Sequence, residues 1–150
     1  MAVLNFATGV QSFDVNGGRG KVYFNPTDAS FAQGVYTLMV DLSEKLEADK
    51  GKDFPDAMAM FAHQTEQDAY IKQRIDGLFG SCVADQLFCW ADEEGGTHGV
   101  SPSALADGLP LWLNFLLSVF DTIPEATSKQ AKAMDARVDK YLSKYKKYQK

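Results

Sequence analysis

Few residues in this chain could do chemistry, and they are scattered. Cys82 and Cys89 are the two thiols and His63 and His98 the two imidazoles. A cysteine nucleophile needs a base within hydrogen-bond reach, and pairing either thiol with His98 rests on no motif. Gly80-Ser81-Cys82 leads into an ordinary helix start rather than the strained strand-to-helix elbow of a serine nucleophile. Seven residues apart in a segment that reads as helical, the two thiols would lie about 10 Å apart along the axis. That exceeds the roughly 7 Å limit of a disulfide, and the histidines lie outside the short ligand spacings of zinc sites. Both cysteines are therefore expected to be buried free thiols. Asp92-Glu93-Glu94 opens a polar, glycine-rich loop through Gly99 that could bind a hard cation, but its spacing matches no calcium loop and it reads as solvated. Asn16-Gly17-Gly18-Arg19-Gly20 could cradle a phosphate only if it led from a strand into a helix, and it leads into a second strand. No catalytic residue, metal or cofactor is expected, so the chain does not read as an enzyme.

Charge supplies the other chemical feature. The formal net charge is −5, yet residues 129–150 hold eight Lys or Arg against two Asp, which leaves −11 on residues 1–128. An acidic body opposes nucleic acid, whose binding rests on neutralising phosphates. The basic tail alone could supply such binding, with Tyr141, Tyr145 and Tyr148 interleaved for stacking. Lysines near a helix C-terminus are also favoured by the macrodipole. A solvated helix end, a protein contact through residues such as Tyr141 and Lys144, and a nucleic-acid or membrane-surface contact are the alternatives for this tail.

The elements that must position these residues follow from pattern. One hundred and fifty residues with 45% hydrophobic content suit one domain with its own core. No apolar run approaches the eighteen or so residues of a bilayer span, and Met1–Phe6 lacks the plan of a secretory signal, so the chain reads as cytoplasmic. Gln11–Val15 and Lys21–Asn25 flank Asn16-Gly17, a strong hairpin signal because both residues tolerate positive φ. Val3–Phe6 is expected as a third strand. A first helix opens at Pro26-Thr27-Asp28, with Phe31, Val35, Leu38, Leu42 and Leu46 inward. A second runs from about Pro55 to Leu78, with Met58, Phe61, Ile71, Ile75 and Leu78 inward and a polar middle, His63–Asp68, that is either broken or exposed. A short helix follows through Val83, Leu87 and Phe88. Ser101-Pro102 caps a turn before Leu105. Trp112–Phe120 is the most apolar helix, either the centre of the core or a partner-binding face. A last amphipathic helix is expected over about Ala126–Lys147. The fold class is thus α+β, mainly α: an N-terminal β-hairpin, then a bundle of about four to five helices. All of it forms a single domain over 1–150, divided into a hairpin region 1–25, a helical body 26–123 and a basic C-terminal helix 124–150.

Two groups of residues carry a resemblance. Asn25-Pro26-Thr27-Asp28 with Ser30 and Phe31 leads into the first helix. Asp76-Gly77-Leu78-Phe79-Gly80 is followed by Leu87-Phe88 and then by the aromatic helix Trp112–Phe120. In this order, over roughly residues 11–123, the chain resembles the tail assembly chaperones of long-tailed, siphophage-type bacteriophages. It departs from them at Cys89-Trp90, where such proteins often carry a glycine after the phenylalanine. The resemblance implies a protein of the bacterial host cytoplasm that binds the long, hydrophobic tape-measure protein and keeps it soluble while the tail tube assembles. It also implies several copies on one client, hence self-association, and a second form extended by frameshifting near Lys144-Tyr145-Lys146-Lys147. Alternatives from other classes are a small phage structural or adaptor protein, and a nucleic-acid-binding regulator using the basic helix.

The chaperone reading makes Phe79, Leu87, Phe88, Trp112 and Phe115 candidate partner-binding residues, divided between core and client in a way the sequence leaves open. Such a function asks for exposed apolar faces and a net charge that keeps them in solution.

Overall fold

The computed structural model describes residues 2–123, and the expected helix over 126–147, with Tyr141 and Lys144, lies outside the described residues. The chain starts as an irregular arm, Ala2–Val10. β1 (Gln11–Val15) and β2 (Gly20–Phe24) then pair antiparallel with Phe13 opposite Val22 and Val15 opposite Gly20. The Asn-Gly signal acts as expected, with Asn16 at φ 51° and Gly17 at φ 66° turning the chain. Alternation puts Phe13, Val15, Val22 and Phe24 on the inner face and Lys21 and Tyr23 outside. The third strand over Val3–Phe6 does not form. Val3, Leu4 and Phe6 are 75%, 87% and 81% exposed, because no sheet edge or core surface lies against them.

α1 (Ala29–Ala48) begins where expected, with the Asp28 carboxylate accepting from Ser30 N–H at 2.9 Å. Val35, Leu38 and Leu42 are buried, Phe31 and Leu46 half-buried, and Ala32 and Met39 complete the buried stripe. α2 (Ala57–Phe79) runs unbroken through its polar middle. In line with the exposed alternative, Gln64, Thr65 and Glu66 face solvent there, while Gln67 donates to Asp49 at 2.7 Å and His63 packs beside Phe54. The helices lie antiparallel, tied by Arg74 to Asp41 at 3.0 Å, and this carboxylate together with the Tyr70 hydroxyl raises the guanidinium above its ordinary pKa. Met58 and Phe61 were expected inward but are 74% and 54% exposed. The reason is length: α1 ends opposite His63 and Gln67, so the first turns of α2 extend past it with nothing across from them.

α2 ends at Gly80, φ 71°, whose N–H donates to the Asp76 carbonyl. A single turn, α3 (Ala84–Leu87), follows. The polar segment expected as a loop is instead a hairpin, β3 (Cys89–Ala91) with β4 (Thr97–Gly99), because Asp92 builds its turn by accepting from Glu94 N–H and Gly96 N–H. β5 (Leu105–Ala106) and β6 (Leu109–Pro110) form a minimal third pair. α4 (Leu111–Phe120) then crosses the core, burying Trp112, Leu113, Leu116, Val119 and Phe120. Trp112 is fully buried, so this helix is the centre of the core. The architecture is α+β and mainly α: among the described residues the four helices, the first hairpin and β6 contribute to one hydrophobic cluster, and the strands of the β3–β4 ribbon lie outside it.

Candidate functional site

Between the N-terminal hairpin, α3, the β3–β4 ribbon and α4 lies a groove of about 650 Å³. Its floor comes from Val22, Leu87, Phe88 and Val119, one wall from Phe13 to Asn16, and the opposite wall from Leu111, Phe115 and Ser118. Trp90 and Leu105, each 51% exposed, stand at the rim.

Three local devices build this groove. First, the Asp76 carboxylate, in the last turn of α2, accepts from both Val83 N–H and Ala84 N–H at 2.8 Å, which fixes the start of α3. Second, the Asn16 amide donates to the Gln86 and Leu87 carbonyls at 2.7 and 2.8 Å, tying the tip of the first hairpin to the end of α3. β2 lies so close to α3 that a Cβ on Gly20 would sit 2.7 Å from the Gln86 Cβ. Third, the Asn114 amide donates to the Ala106 carbonyl at 2.9 Å, holding the β5–β6 turn over α4. These polar groups satisfy backbone atoms at the margins, while the groove itself stays apolar. Asp14 is the one charged residue among the described residues that line it.

At the rim the Trp90 ring stacks on the His98 ring with centroids 4.4 Å apart, and His98 Nε2 lies 2.8 Å from the Asp92 carboxylate. The histidine contact and then the Gly96 N–H hold the Asp92 carboxyl below its ordinary pKa. A second lowered carboxyl, Asp49, owes its shift first to Lys52 and then to Gln67. Neither group is arranged to act on a substrate: Asp92 braces a turn and Asp49 braces the α1–α2 end.

The candidate residues read from the sequence separate. Leu87, Phe88 and Phe115 line the groove. Phe79 does not: it sits in an aromatic cluster with Phe31 at 5.5 Å and Phe115 at 5.7 Å, joining α1, α2 and α4. Trp112 is core. Phe13, Trp90 and Leu105 were not singled out. The inward alternation of β1 marked Phe13, but no local signal shows that the rims of two distant hairpins meet.

The thiols also correct the expectation. They do not share a helix, since α3 spans one turn and Cys89 opens β3. Both are free, but Cys82 is exposed and Cys89 half-buried at the groove. Cys89 faces Gly99 across the ribbon while His98 pairs with Trp90, so the thiol and imidazole point to opposite faces and form no nucleophile–base pair. Among the described residues no three His, Cys, Asp or Glu side chains are grouped to hold a metal ion, and no helix is long and apolar enough to cross a membrane. What the site can do is bury apolar groups of another molecule. Compared with known proteins, the chain matches no family model, no curated protein and no solved structure.

Proposed function

We propose that this chain is a protein-binding chaperone of the kind that serves tail assembly in long-tailed bacteriophages, holding apolar segments of the tape-measure protein in the groove between hairpin and α4. The observation that supports the reading is the groove itself: a preformed apolar surface with Trp90 and Leu105 at its rim and a single charged lining residue, on a body that is otherwise acidic. Apolar area that stays open on a folded domain marks a binding surface. A polypeptide client suits it better than a small polar substrate, because the lining offers few free polar groups to orient one.

The test is retention of the client by tagged protein from cells co-expressing its neighbouring genes, with a nuclease control. One very long helical protein, retained by the native chain and lost by Trp90→Ser with Leu105→Ser under conditions where that variant remains folded, is the expected result. A nuclease-sensitive or empty eluate, or equal retention by the rim variant, would refute it.

A further inference from the structure

The arm Ala2–Val10 carries four large apolar side chains, and its own fold leaves them uncovered: Val3, Leu4 and Phe6 are at least three-quarters exposed and Val10 half-exposed. The root of the arm is nevertheless held. The Asn25 amide donates to the Thr8 carbonyl at 2.8 Å, and Gly9, at φ 74°, passes so close that a Cβ there would lie 2.5 Å from the Asn25 Nδ2. This anchor is at the α1 end of the first hairpin, one residue from Phe24, which also lines the groove. The arm's root is thus beside the groove, yet none of the residues of the arm lines it in its own copy.

We propose that the arm of a second copy fills the apolar groove, so that two chains exchange arms and cover each other's binding surface until a client displaces them. The inference concerns the regulation of the groove and rests on the chaperone reading only for what the client is; the exchange of arms stands without it. Charge and area both favour this occupant. No charged side chain occurs from Met1 to Phe13, so seating these arm residues buries no charged side chain while the two acidic bodies stay apart. The other uncharged run of that length, Gly108–Phe120, is largely buried as α4. Seating the four side chains would bury roughly 500 Å² on the arm and as much on the groove, so one arm alone gives roughly 1,000 Å², below the range of stable interfaces. A reciprocal pair gives roughly 2,000 Å², within that range, which selects the closed two-fold exchange over a single seated arm.

The experiment is light-scattering mass measurement on the full chain across protein concentration, with two variants whose changes lie at exposed positions: Leu4→Asp with Phe6→Asp in the arm, and Trp90→Ser with Leu105→Asp at the rim. The native chain should approach twice its 16.5 kDa, and each variant alone should be monomeric. Tagged arm variant should still retain untagged rim variant, since one good arm then meets one good groove. A native chain that stays monomeric would overturn the proposal, and so would an arm variant that remains dimeric. If the rim variant fails to fold, the arm variant decides alone. Because no client is present, none of these outcomes depends on whether the tape-measure reading is right.

Discussion

Replacing Asp76 should be the most informative single change in the helical body. Its carboxylate accepts two backbone hydrogen bonds at 2.8 Å, from Val83 and Ala84. Bonds to a charged group contribute about 1.5–3 kcal/mol each, and removing the acceptor leaves two donors at the start of a one-turn helix. Against this, an acid in the last turn of α2 opposes the helix dipole by about 0.3–1 kcal/mol, which the substitution would relieve. The net expectation for Asp76→Ala is a loss of about 2–6 kcal/mol. For a domain of this size that corresponds to a fall in melting temperature of roughly 6–18 °C. Asp76→Asn keeps the acceptor oxygen and loses only its charge, so it should cost about 1 kcal/mol. Urea unfolding followed by far-ultraviolet circular dichroism measures both. Since Leu87 and Phe88 depend on α3 for their position, Asp76→Ala should also weaken client retention at temperatures where the protein remains folded. An alanine variant within about 0.5 kcal/mol of the native chain, or an asparagine variant as damaged as the alanine one, would refute the clamp.

Other substitutions separate packing from surface. Trp112→Ala should cost about 3–5 kcal/mol as a fully buried aromatic, whereas Trp90→Ser should cost at most about 1 kcal/mol, the worth of its ring stack on His98; equal losses in chemical denaturation would contradict the division into core and rim. Gly20→Ala should destabilise by about 1–3 kcal/mol because its Cβ meets Gln86. Gly77→Ala, inside α2 with nothing within 4 Å, should stabilise by about 0.5–1 kcal/mol, and thermal melts of the two would expose an error in either direction. Asp92 has a folded pKa below its ordinary value, so its support of the β3–β4 turn is present above that ordinary value of 3.8 and is lost as pH falls through the folded one. Amide NMR signals of Glu94 and Gly96 should therefore move in a strongly acidic titration, while His98→Gln should shift the midpoint upward; an unchanged midpoint would remove the His98 contact as the main cause.

Local chemistry made much of this fold legible. Asn16-Gly17 and the Asp28 cap act through residues one to three positions away, so the first hairpin and the start of α1 follow from sequence alone. Periodicity also identified α2, but it says which residues share a face and not whether anything covers that face. Met58 and Phe61 lie in the first turns of α2, past the end of α1, and Met58 is also about 100° around the helix from the buried Ile75, so both remain exposed. The β3–β4 ribbon had a local signal that was read as a loop: Asp92 followed by Gly95-Gly96 is a turn in which the side chain replaces backbone acceptors. The groove was not legible. It depends on Asn16 meeting Gln86 and Leu87 some seventy residues away, a pairing that neither hairpin announces.

The residues that carried the resemblance divide along the same line. Asn25-Pro26-Thr27-Asp28 is a turn and a helix cap: the Asn25 side chain accepts from Thr27 N–H at 2.9 Å, and Asp28 caps α1. Asp76, Phe79 and Gly80 form a chain reversal in which the acid seeds the next helix, the aromatic locks three helices together and the glycine adopts the left-handed turn. Each is accounted for by folding, so an arrangement of this type would keep them whatever client it bound. If the groove holds a client as proposed, client choice rests on residues that folding does not require, above all Trp90 and Leu105 at the rim and Phe13 on the hairpin wall. On the proposed chaperone reading, Cys89-Trp90 is where the chain would depart from that family, and Trp90 is one of these rim residues. Replacing Trp90 with glycine should accordingly change which apolar segments are retained more than it changes stability, and retention of the same segments at the same strength would show that the rim does not select them.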